Sequence, residues 1–487
     1  MGTIRKRHSI RMGDETAKYH LPSLETDTLD YLTDCSKHYA LMHGILKRAV
    51  GSLDSSEIVT YVPHTLFPSP LPHGLYEVAN QMQDSINILM LRVATDKEFL
   101  MTSLKSTIAV DDFTSRLMDL YQQVESEGLR KPISMCVVRP DYMVDTTGPE
   151  LAFKQVEINT IAAGMGGIGM QIADLHRYNV GLCNEMKAEL AGNKAVMAIG
   201  EGAAKAWELY GRPNAWVLFL VSSAEYNVFD HCWLEHTIRL YNPAIKVMRR
   251  TLTDVGQRAT VDQNRRLFMD GKEIAFVYFR IGYAPSNYPT KTEWKARLLM
   301  ERSLAVTCPS INWHLAGTKK IQQQLSKPGV LERFLDDTEA IAWIRSTFVH
   351  QYDLGLTEEG DAAAVIGIQN PERYVLKPQR EGGGNNLYDS ELKAELKRLS
   401  GKEERGAYIL MEKIHGQVFK NYVVSGPRAH QASDMVTEYG PFGVIVSHGD
   451  QILLNKTTGY YMKSHSVNVA EGGISIGNAA MDSVALV

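Results

Sequence analysis

Residues 377–388 read KPQREGGGNNLY, which is the most informative stretch of the sequence. An apolar run at residues 374–376 precedes it, which predicts a strand that ends in a loop. Three consecutive glycines, Gly382–Gly384, allow backbone amides to approach an anion closely, and Asn385 and Asn386 tolerate the left-handed conformations of a tight turn. The stretch therefore predicts a glycine-rich loop between a strand and the helical pattern that follows.

Charged residues beside these glycines indicate the kind of anion. Lys377 and Arg380 supply positive charge, and Glu381 offers a carboxylate to a Mg²⁺ ion that bridges two phosphates. The alternative is a flexible hairpin tip, whose glycines would need neither the lysine nor the glutamate. We favour a loop that covers the phosphates of a nucleotide.

A second stretch, KQVEINT at residues 154–160, alternates as a strand does. The alternation puts Glu157 and Asn159 on one face and Val156 and Ile158 on the other. Two oxygen ligands on a rigid strand suit Mg²⁺, which takes few protein ligands and completes its shell with phosphate and water. The alternative is a strand with one polar, solvated face, and the glycine loop favours the metal site over it.

Basic residues at the ends of predicted strands extend this pattern. Arg139 and Arg280 can bind carboxylates as forks, whereas Lys319 and Lys320 can act as point charges on phosphate. The segment 410–414 ends an apolar strand in charged residues and could offer backbone groups to an adenine edge. Together these features predict an enzyme that uses a nucleotide and Mg²⁺ to activate a carboxylate.

The 487 residues have the composition of a globular protein of about three compact units. A net charge of −4 argues against binding of nucleic acid through global positive charge. Asp14 and Glu15 interrupt the basic N-terminus, unlike a signal peptide, and no apolar run approaches the ~18 residues of a membrane helix. The five cysteines form no Cys-x-x-Cys pair, which is typical of a reducing compartment. We expect a cytoplasmic protein that binds neither membrane nor nucleic acid.

Periodicity predicts an α/β (α+β) fold in three parts, residues 1–213, 214–316 and 317–487, with the middle part a separate α/β unit. The first 130 residues are mainly helical, with one helix at 77–94 and another that Asp112 caps. Strands are predicted at residues 134–138, 151–160, 215–221, 245–250, 274–279, 373–377, 408–412, 443–447 and 451–455. Further helices are predicted at 179–191, 292–303, 331–350 and 390–399, and irregular loops at 63–72, 357–364 and 425–434.

Two motifs point to other enzyme classes but lack the required context. Residues 164–169, GMGGIG, fit the dinucleotide pattern G-x-G-x-x-G, yet the acidic residues at the right distance, Glu185 and Glu189, lie in a helical pattern. We predict a glycine loop of close approach there and keep a nicotinamide oxidoreductase as a distant alternative. Residues 473–477, GISIG, fit a nucleophile elbow, but no histidine follows them.

The order of the motifs along the chain resembles that of a known family, eukaryotic glutathione synthetase, over nearly the whole chain from about Ser55. Besides KPQREGGGNNLY, the matching segments are HTLFPSPLP (64–72), DDFTSRL (111–117), RPDYM (139–143), KQVEINT (154–160), YFRIGY (278–283), LAGTKKIQQ (315–323) and YILMEK (408–413).

The resemblance implies an ATP-grasp fold with a permuted topology and a homodimer. Residues 378–388 would be its glycine-rich lid, and residues 214–316 an inserted α/β substrate-binding domain. The implied reaction joins γ-glutamylcysteine and glycine with ATP and gives glutathione, ADP and phosphate. The cysteinyl carboxylate is phosphorylated first, and the amine of glycine then attacks the acyl phosphate.

The resemblance also implies a role for each matching position. Arg139 is the implied catalytic residue, which neutralises charge on the reacting carboxylate, and the implied Mg²⁺ ligands are Glu157, Asn159 and Glu381. ATP would be held by Glu157 and Glu381 together with Lys319, Lys377, Gly382, Gly383, Gly384, Asn385, Asn386, Tyr388, Met411, Glu412, Lys413, Ile414, Glu438, His465 and Glu471. The amino substrates would be held by Arg139 together with Ala162, Ala163, Gly164, Glu225, Tyr226, Asn227, His231, Arg280, Tyr283, Lys463, Ile474 and Ser475.

Several of these positions differ from the animal members of that family and cluster around the substrates. The differing residues are Ala162 and Gly164 for serines, His231 for glutamine, Ile281 for aspartate, Lys463 for arginine, His465 for lysine, Glu471 for aspartate, and Ile474-Ser475-Ile476 for Val-Ala-Ala. They keep two alternatives open. One is a synthetase of a glutathione homologue with β-alanine or serine as the amine acceptor, and the other is a catalytically weak ATP-binding relative.

Overall fold

The computed structural model describes residues 10–11 (backbone alone), 19–129, 131–426, 431–474 and 476–487. Its helices are α1 Thr26–Met42, α2 His73–Thr95, α3 Lys97–Ile108, α4 Asp112–Ser126, α5 Gly166–Leu182, α6 Ala195–Tyr210, α7 Val228–Tyr241, α8 Leu252–Arg258, α9 Lys291–Arg302, α10 Ile311–Ala316, α11 Lys319–Leu325, α12 Leu331–Phe334, α13 Thr338–Thr347, α14 Glu358–Gln369 and α15 Asp389–Arg398. Within these ranges no helix combines the length and the apolar character needed to cross a membrane.

The strands belong to several sheets and are numbered along the chain. They are β1 Ile10–Arg11, β2 Leu46–Arg48, β3 Val59–Tyr61, β4 His64–Thr65, β5 Ser69–Leu71, β6 Ile133–Asp145, β7 Glu150–Asn159, β8 Glu189–Leu190, β9 Trp216–Leu220, β10 Lys246–Arg250, β11 Thr260–Val261, β12 Leu267–Met269, β13 Lys272–Phe279, β14 Val306–Cys308, β15 Gln351–Asp353, β16 Tyr374–Pro378, β17 Leu387–Tyr388, β18 Tyr408–Glu412, β19 Phe419–Asn421, β20 Val423–Val424, β21 Ser433–His448, β22 Gln451–Ser466, β23 Ala480–Met481 and β24 Val484–Leu486. The predicted mixture of helices and sheets is confirmed.

The largest sheet is built around the long hairpin of β21 and β22. Its strand order is β1-β7-β6-β21-β22-β23-β4-β20, and β19 also pairs with β21. Helices cover both of its faces, because Gly443 of β21 lies against Asn87 of α2 while the next residue, Val444, lies against Gly202 of α6. This three-layer arrangement buries β6 and β21 and holds the neighbouring β7 in a fixed place.

A second sheet takes all its strands from between Trp216 and Cys308. The order is β10-β9-β13-β12-β11, and β14 also pairs with β13. The neighbours of β9 and β14 are parallel to them, and the inner residues Val217–Leu220 are entirely apolar and buried, as expected where helices cover both faces. The sheet lies inside the predicted unit 214–316, whose boundaries stay a prediction.

The third sheet is antiparallel, with the order β15-β18-β16-β17. Helices α14 and α15 pack on it around Leu376, Leu392, Leu396 and Leu410. The glycine-rich loop connects β16 to β17. It is therefore shorter than the predicted residues 378–388, because both ends of that range pair in the sheet.

The predicted strands are all present, and three of them, β6, β21 and β22, extend well beyond their apolar patterns. Pro140 lies within β6 and Pro441 within β21, and the pairing register of β21 with β22 shifts directly after Pro441. Proline lacks an N–H donor, so the sequence predicts that a strand ends at a proline. In the folded sheet a shift in the pairing register accommodates the proline instead.

The helix predicted at residues 179–191 is wrong. Helix α5 begins at Gly166 and ends at Leu182, so Glu185 lies beyond it and Glu189 lies in β8. Glycines are poor helix formers, but close packing requires them here. A Cβ on Gly167 would overlap the Trp233 side chain. The packing of α5 against Trp233 therefore outweighs the low helix propensity of glycine at the start of this helix.

Five other local predictions also differ from the structure. The helix predicted at residues 331–350 is divided into α12 and α13, because the Asp337 side chain accepts hydrogen bonds from two backbone N–H groups and starts a new helix. The loop predicted at 357–364 is mostly α14, capped by Thr357. The proline-rich residues 63–72 include β4 and β5, and Asp111 caps α4 instead of Asp112. Of the loop predicted at 425–434, residues 427–430 lie outside the described part, and β21 already begins at Ser433.

Candidate functional site

A cavity of about 450 Å³ opens where the three sheets meet. The large sheet contributes Glu157, the third sheet contributes Lys377, and the segment after β13 contributes Arg280. The cavity wall includes the site residues predicted from the sequence with three exceptions. Gly384 does not line it, Lys320 is paired with Asp353 away from it, and Ser475 lies outside the described residues.

Lys319, the first residue of α11, is the centre of a buried charge cluster. Its Nζ lies 2.8 Å from Glu157 Oε2 and 2.9 and 3.1 Å from the two carboxylate oxygens of Glu381. Burial would lower the pKa of Lys319, but the two carboxylates raise it, so the ammonium stays charged. Burial acts to raise the pKa of Glu157, and Lys319 and Lys377 outweigh it and lower that pKa.

Lys377 supplies a second buried ammonium from β16. Its Nζ donates a 2.7 Å hydrogen bond to the Val156 carbonyl, and burial lowers its pKa. The side chain thus bridges the third sheet to β7 and ends beside Glu157. Two ammonium groups from separate elements therefore meet the carboxylates of β7 and of the glycine loop, an arrangement suited to the phosphates of a nucleotide with a divalent cation.

The residues present fit Mg²⁺. Glu157 and Glu381 converge on a single cation, the Lys319 ammonium, so both carboxylates are already aimed at one point. The Asn159 Nδ2 atom donates to the Arg139 carbonyl and to Asp141, so its Oδ1 is the atom it can offer to a metal. Within the described residues no three His, Cys, Asp or Glu side chains form a metal cluster, so the ligands would be two carboxylates, an amide, phosphate and water.

The glycine-rich loop lies over this cluster. Gly382 and Gly384 have φ values of +78° and +85°, which favour glycine because a Cβ would be strained. The Gly384 N–H donates a 2.7 Å hydrogen bond to Glu471 Oε1, and a Cβ on Gly382 would lie 2.9 Å from the Tyr283 ring. The loop therefore contacts the C-terminal segment on one side and the second sheet's connection on the other.

Arg380 lines the cavity, but its charge is already paired within the protein. Its guanidinium forms a 2.7 Å ion pair with Asp111, the residue that caps α4, and Nη1 also donates to the Gln379 carbonyl. Arg380, the positive charge that the sequence predicts beside the glycine-rich loop, therefore links the base of that loop to the N-terminal helices. The ammonium groups available to phosphate come from Lys319 and Lys377.

Arg139 is held rigidly at the centre of the cavity. Its Nε and Nη2 donate to the two oxygens of Asp141 at 2.7 and 2.9 Å, and its Nη1 donates to the Gly164 carbonyl at 3.1 Å. The guanidinium also lies 4.3 Å from the centre of the Tyr461 ring. Burial would lower the pKa of Arg139, but Asp141 raises it, so the side chain is a fixed positive charge.

The opposite end of the cavity carries polar atoms without partners. Arg280 Nε, His231 Nδ1 and Asn227 Oδ1 are buried and have no hydrogen-bond partner. Burial and nearby arginines, Arg280 first among them, lower the pKa of His231, so its ring is neutral. The backbone N–H of Asn227 donates to Glu225 Oε1 at 2.8 Å and fixes that carboxylate. The residues that carry these atoms line one cavity, and their mixture of donors and acceptors suits the charged groups of an amino acid.

The C-terminal segment closes the third side. Lys463 Nζ lies 3.1 Å from Glu438 Oε1 and 2.5 Å from the Gly472 carbonyl. His465 packs against Gly472 so closely that a Cβ there would overlap the ring, and burial lowers the pKa of His465. Ile474 is buried and lines the cavity. The segment therefore adds one paired lysine, one neutral histidine and a bulky apolar side chain.

The residues that sequence reasoning missed are mainly counter-ions. Asp141, Tyr461 and Asp230 all contact the predicted arginines. Asp141 follows Arg139 by two residues in β6, so strand alternation could have indicated it. Asp230 lies on α7, far along the chain from Arg280, and no local pattern marks it.

Fold and cavity together define a mixed α/β protein with a buried cluster of ammonium and carboxylate groups beside a pocket lined by polar residues. The eukaryotic glutathione synthase ATP-binding domain matches this chain over residues 26–486. Glutathione synthetase of Xenopus laevis is 42% identical over 467 residues, which cover 95% of this chain and 98% of that protein. The enzyme of Bos taurus is 44% identical over 447 residues, 91% of this chain and 94% of its own length.

A solved structure with the same fold is the glutathione synthetase-like effector of Globodera pallida in its apo form. It superposes with a TM-score of 0.77 at 24% identity and covers 96% of this chain and 100% of its own. The match extends the fold over almost the entire length. The chain belongs to the eukaryotic glutathione synthetase family.

Proposed function

We propose that this enzyme is an ADP-forming ligase that joins γ-glutamylcysteine to glycine and releases glutathione and phosphate. The observation that carries the proposal is the single cavity. It holds the Lys319, Glu157 and Glu381 cluster beneath a glycine-rich loop, with Arg139 and Arg280 facing the same space. The glutathione synthetases that the chain resembles support the same reaction.

The nucleotide occupies the end of the cavity formed by the large and third sheets. Lys319 and Lys377 bind its phosphates, the loop 379–386 covers them, and the segment 411–414 faces the adenine. Held by Glu157, Asn159 and Glu381, Mg²⁺ would neutralise charge on the phosphate oxygens during transfer. Glu438, His465 and Glu471 complete the nucleotide end, and the ATP-grasp fold with permuted topology is part of this proposal.

Arg139 acts on the reacting carboxylate. The cysteinyl carboxylate oxygen attacks the γ-phosphorus of ATP, the bond to the bridging oxygen breaks, and ADP leaves. The glycine amine then attacks the acyl phosphate carbon, and expulsion of phosphate with loss of the amine proton leaves the amide. Because Asp141 and Gly164 fix the guanidinium, Arg139 stabilises the developing negative charge without rearranging.

The γ-glutamyl end of the dipeptide fits the pocket with the unpartnered atoms. Arg280 would bind its carboxylate, and Asn227 and Glu225 its amino group. Tyr226, Tyr283, Ala162 and Ala163 line the rest of this pocket. Burial without partners costs free energy, which a zwitterionic ligand recovers when it pairs these atoms.

Glycine would be the amine acceptor at the C-terminal segment. Lys463 supplies a positive charge for its carboxylate, and Ile474 takes up space beside it. A pocket narrowed by a buried isoleucine favours the smallest amino acid over serine and β-alanine. Comparison of the three amines at equal concentration tests this choice, and a faster reaction with serine or β-alanine would assign the enzyme to a glutathione homologue.

We also propose a cytoplasmic homodimer. The five cysteines are free, as in a reducing compartment. Large apolar side chains are exposed on α1 and the neighbouring β2–β3 hairpin, namely Tyr31, Met42, Val50 and Ile58. These exposed side chains support the proposed interface, and light scattering coupled to size exclusion measures whether the mass is twice that of one chain.

Substrate-dependent ADP release decides the function. The purified enzyme is assayed with ATP and Mg²⁺, and γ-glutamylcysteine and glycine are omitted in turn. Full release only with both amino substrates, together with glutathione formation, supports the ligase. Release that ignores both substrates would identify the weak ATP-binding relative, and NADH binding with no ATP turnover the oxidoreductase.

A further inference from the structure

The glycine motif at residues 164–169 has a use that the nucleotide site does not explain. In a dinucleotide fold the N–H groups at the start of such a helix would hold a pyrophosphate. Here the backbone N–H groups of Met165, Gly167 and Ile168 donate to Asp230, at 2.8, 2.9 and 3.3 Å. The anion bound at the start of α5 is therefore a carboxylate of the chain itself.

Asp230 also faces the dipeptide pocket. Its Oδ2 lies 3.4 Å from Arg280 Nη2, and among the described residues no other carboxylate forms an ion pair with that arginine. Asp230 forms its ion pair with Nη2 of Arg280. The contact therefore orients the guanidinium and leaves its other nitrogen atoms available. Arg280 Nε is left buried without a partner, and the side chain lines the cavity.

Gly164 completes the arrangement. A Cβ at this position would overlap Arg280 Nη2, so the guanidinium lies in space that any side chain would fill. The Gly164 carbonyl accepts the 3.1 Å hydrogen bond from Arg139 Nη1. One glycine therefore sets the places of both arginines that face the substrate.

We propose that Asp230 is a positioning residue for dipeptide binding, which holds Arg280 in the pocket through the helix-start N–H groups of the glycine motif, and that Gly164 is the residue whose missing side chain admits Arg280. Neither residue needs to touch the nucleotide, because the Lys319 cluster is built from α11, β7 and the glycine loop. The inference rests on the proposed function, since the dipeptide is its ligand.

The first test is Asp230→Asn, which keeps the shape of the side chain and removes its charge. Loss of a charge-assisted contact to Arg280 raises the KM for γ-glutamylcysteine by roughly 10- to 100-fold, whereas the KM for ATP changes by less than about twofold. A matched control is Asp337→Asn. Asp337 also accepts N–H groups at a helix start, on α13, but it is exposed and lies away from the cavity, so both KM values stay at the wild-type level.

The second test is Gly164→Ala, which leaves the three backbone N–H contacts of Asp230 in place and pushes the Arg280 guanidinium aside. It produces the same selective rise in the dipeptide KM, and it decides the question if Asp230→Asn does not fold. Gly192→Ala is the matched control, because a Cβ there meets open space. Equal rises in both KM values, or an unchanged dipeptide KM in both variants, would overturn the proposal.

Thermal stabilisation by γ-glutamylcysteine without ATP separates this inference from the proposed function. The dipeptide raises the melting temperature of the wild type and raises it less in Asp230→Asn and Gly164→Ala. If the three proteins show these differences in melting temperature but the wild type forms no glutathione, the ligase function fails and the positioning role stands. If the dipeptide stabilises the wild type and both variants equally, or stabilises none of them, the positioning role fails.

Discussion

The polar and charged groups at the two ends of the cavity are paired to different extents. At the nucleotide end, Lys319 is fully paired with Glu157 and Glu381 within 3.1 Å. At the dipeptide end, Arg280 and Asn227 keep buried polar atoms without partners. At the first end the protein itself neutralises the lysine, whereas at the second end we propose that a ligand pairs the remaining polar atoms.

This difference indicates what each end contributes. A ligand at the nucleotide end must replace an existing ion-pair network, so its binding reorganises charge and prepares the reaction. A ligand at the dipeptide end pairs groups whose burial costs about 1–3 kcal/mol each, so its contacts appear mainly as affinity. Changes at the first end should therefore reduce turnover, whereas changes at the second should raise KM.

The largest expected effect comes from Glu381→Ala at the nucleotide end. Turnover falls by ~10²–10³-fold, because the loop carboxylate is a preorganised part of the cation site. Melting temperature stays near the wild-type value, since the residue belongs to no hydrophobic core. ADP release at saturating substrates measures the loss, and Glu391→Ala, an exposed acid on α15, is the control. Activity at the wild-type level under limiting Mg²⁺ would contradict this account of the site.

Lys319→Met tests whether the Lys319 ammonium prevents a metal ion from binding at the nucleotide end in the absence of ATP. The ammonium lies between Glu157 and Glu381, so it competes with any metal that arrives without a nucleotide. The variant should bind Mn²⁺ in the absence of ATP roughly 10- to 100-fold more tightly than the wild type, as measured by the electron paramagnetic resonance signal of free Mn²⁺. Lys295→Met, on the exposed side of α9, is the control. Equal Mn²⁺ affinity in both proteins would show that Lys319 is no competitor.

Gly383→Val probes the loop that covers the paired end. A Cβ on Gly383 would lie 3.1 Å from Glu471 Oε1, so a valine prevents the loop from closing on the C-terminal segment. Water then reaches the acyl phosphate, and ATP hydrolysis rises several-fold relative to glutathione formation. The ratio of ADP to glutathione measures the effect, with Gly192→Val as the control in open space. Parallel loss of both products, or of neither, argues against a lid.

The smallest effect is expected for Lys463→Arg at the acceptor side. The charge beside Glu438 is kept, so the KM for glycine changes by less than the ~10-fold that follows loss of a charge-assisted bond. Lys463→Met, which removes the charge, gives the larger rise and serves as the comparison. An inactive Lys463→Arg enzyme would mean that the pocket is fitted to lysine in shape as well as in charge.

Sequence patterns are sufficient to predict the parts of the site that lie within one helix, strand or loop. Strand alternation in β7 puts Glu157 and Asn159 on one face, and the consecutive glycines before Asn385 can only be accommodated comfortably in a loop. The apolar cores of the strands were also predicted correctly. These features depend on backbone preferences that act over a few residues, so they are legible without the fold.

The pairing of charges, in contrast, depends on how distant elements pack in the folded chain. Lys319 and Glu381 are 62 residues apart in the chain, and Arg380 turned to Asp111 instead of to phosphate. Likewise, the glycine motif forms the start of α5, where Asp230 of another helix accepts hydrogen bonds from its backbone N–H groups. A local pattern states what a residue can bind, but its partner depends on which distant elements pack against it and on how much water they exclude.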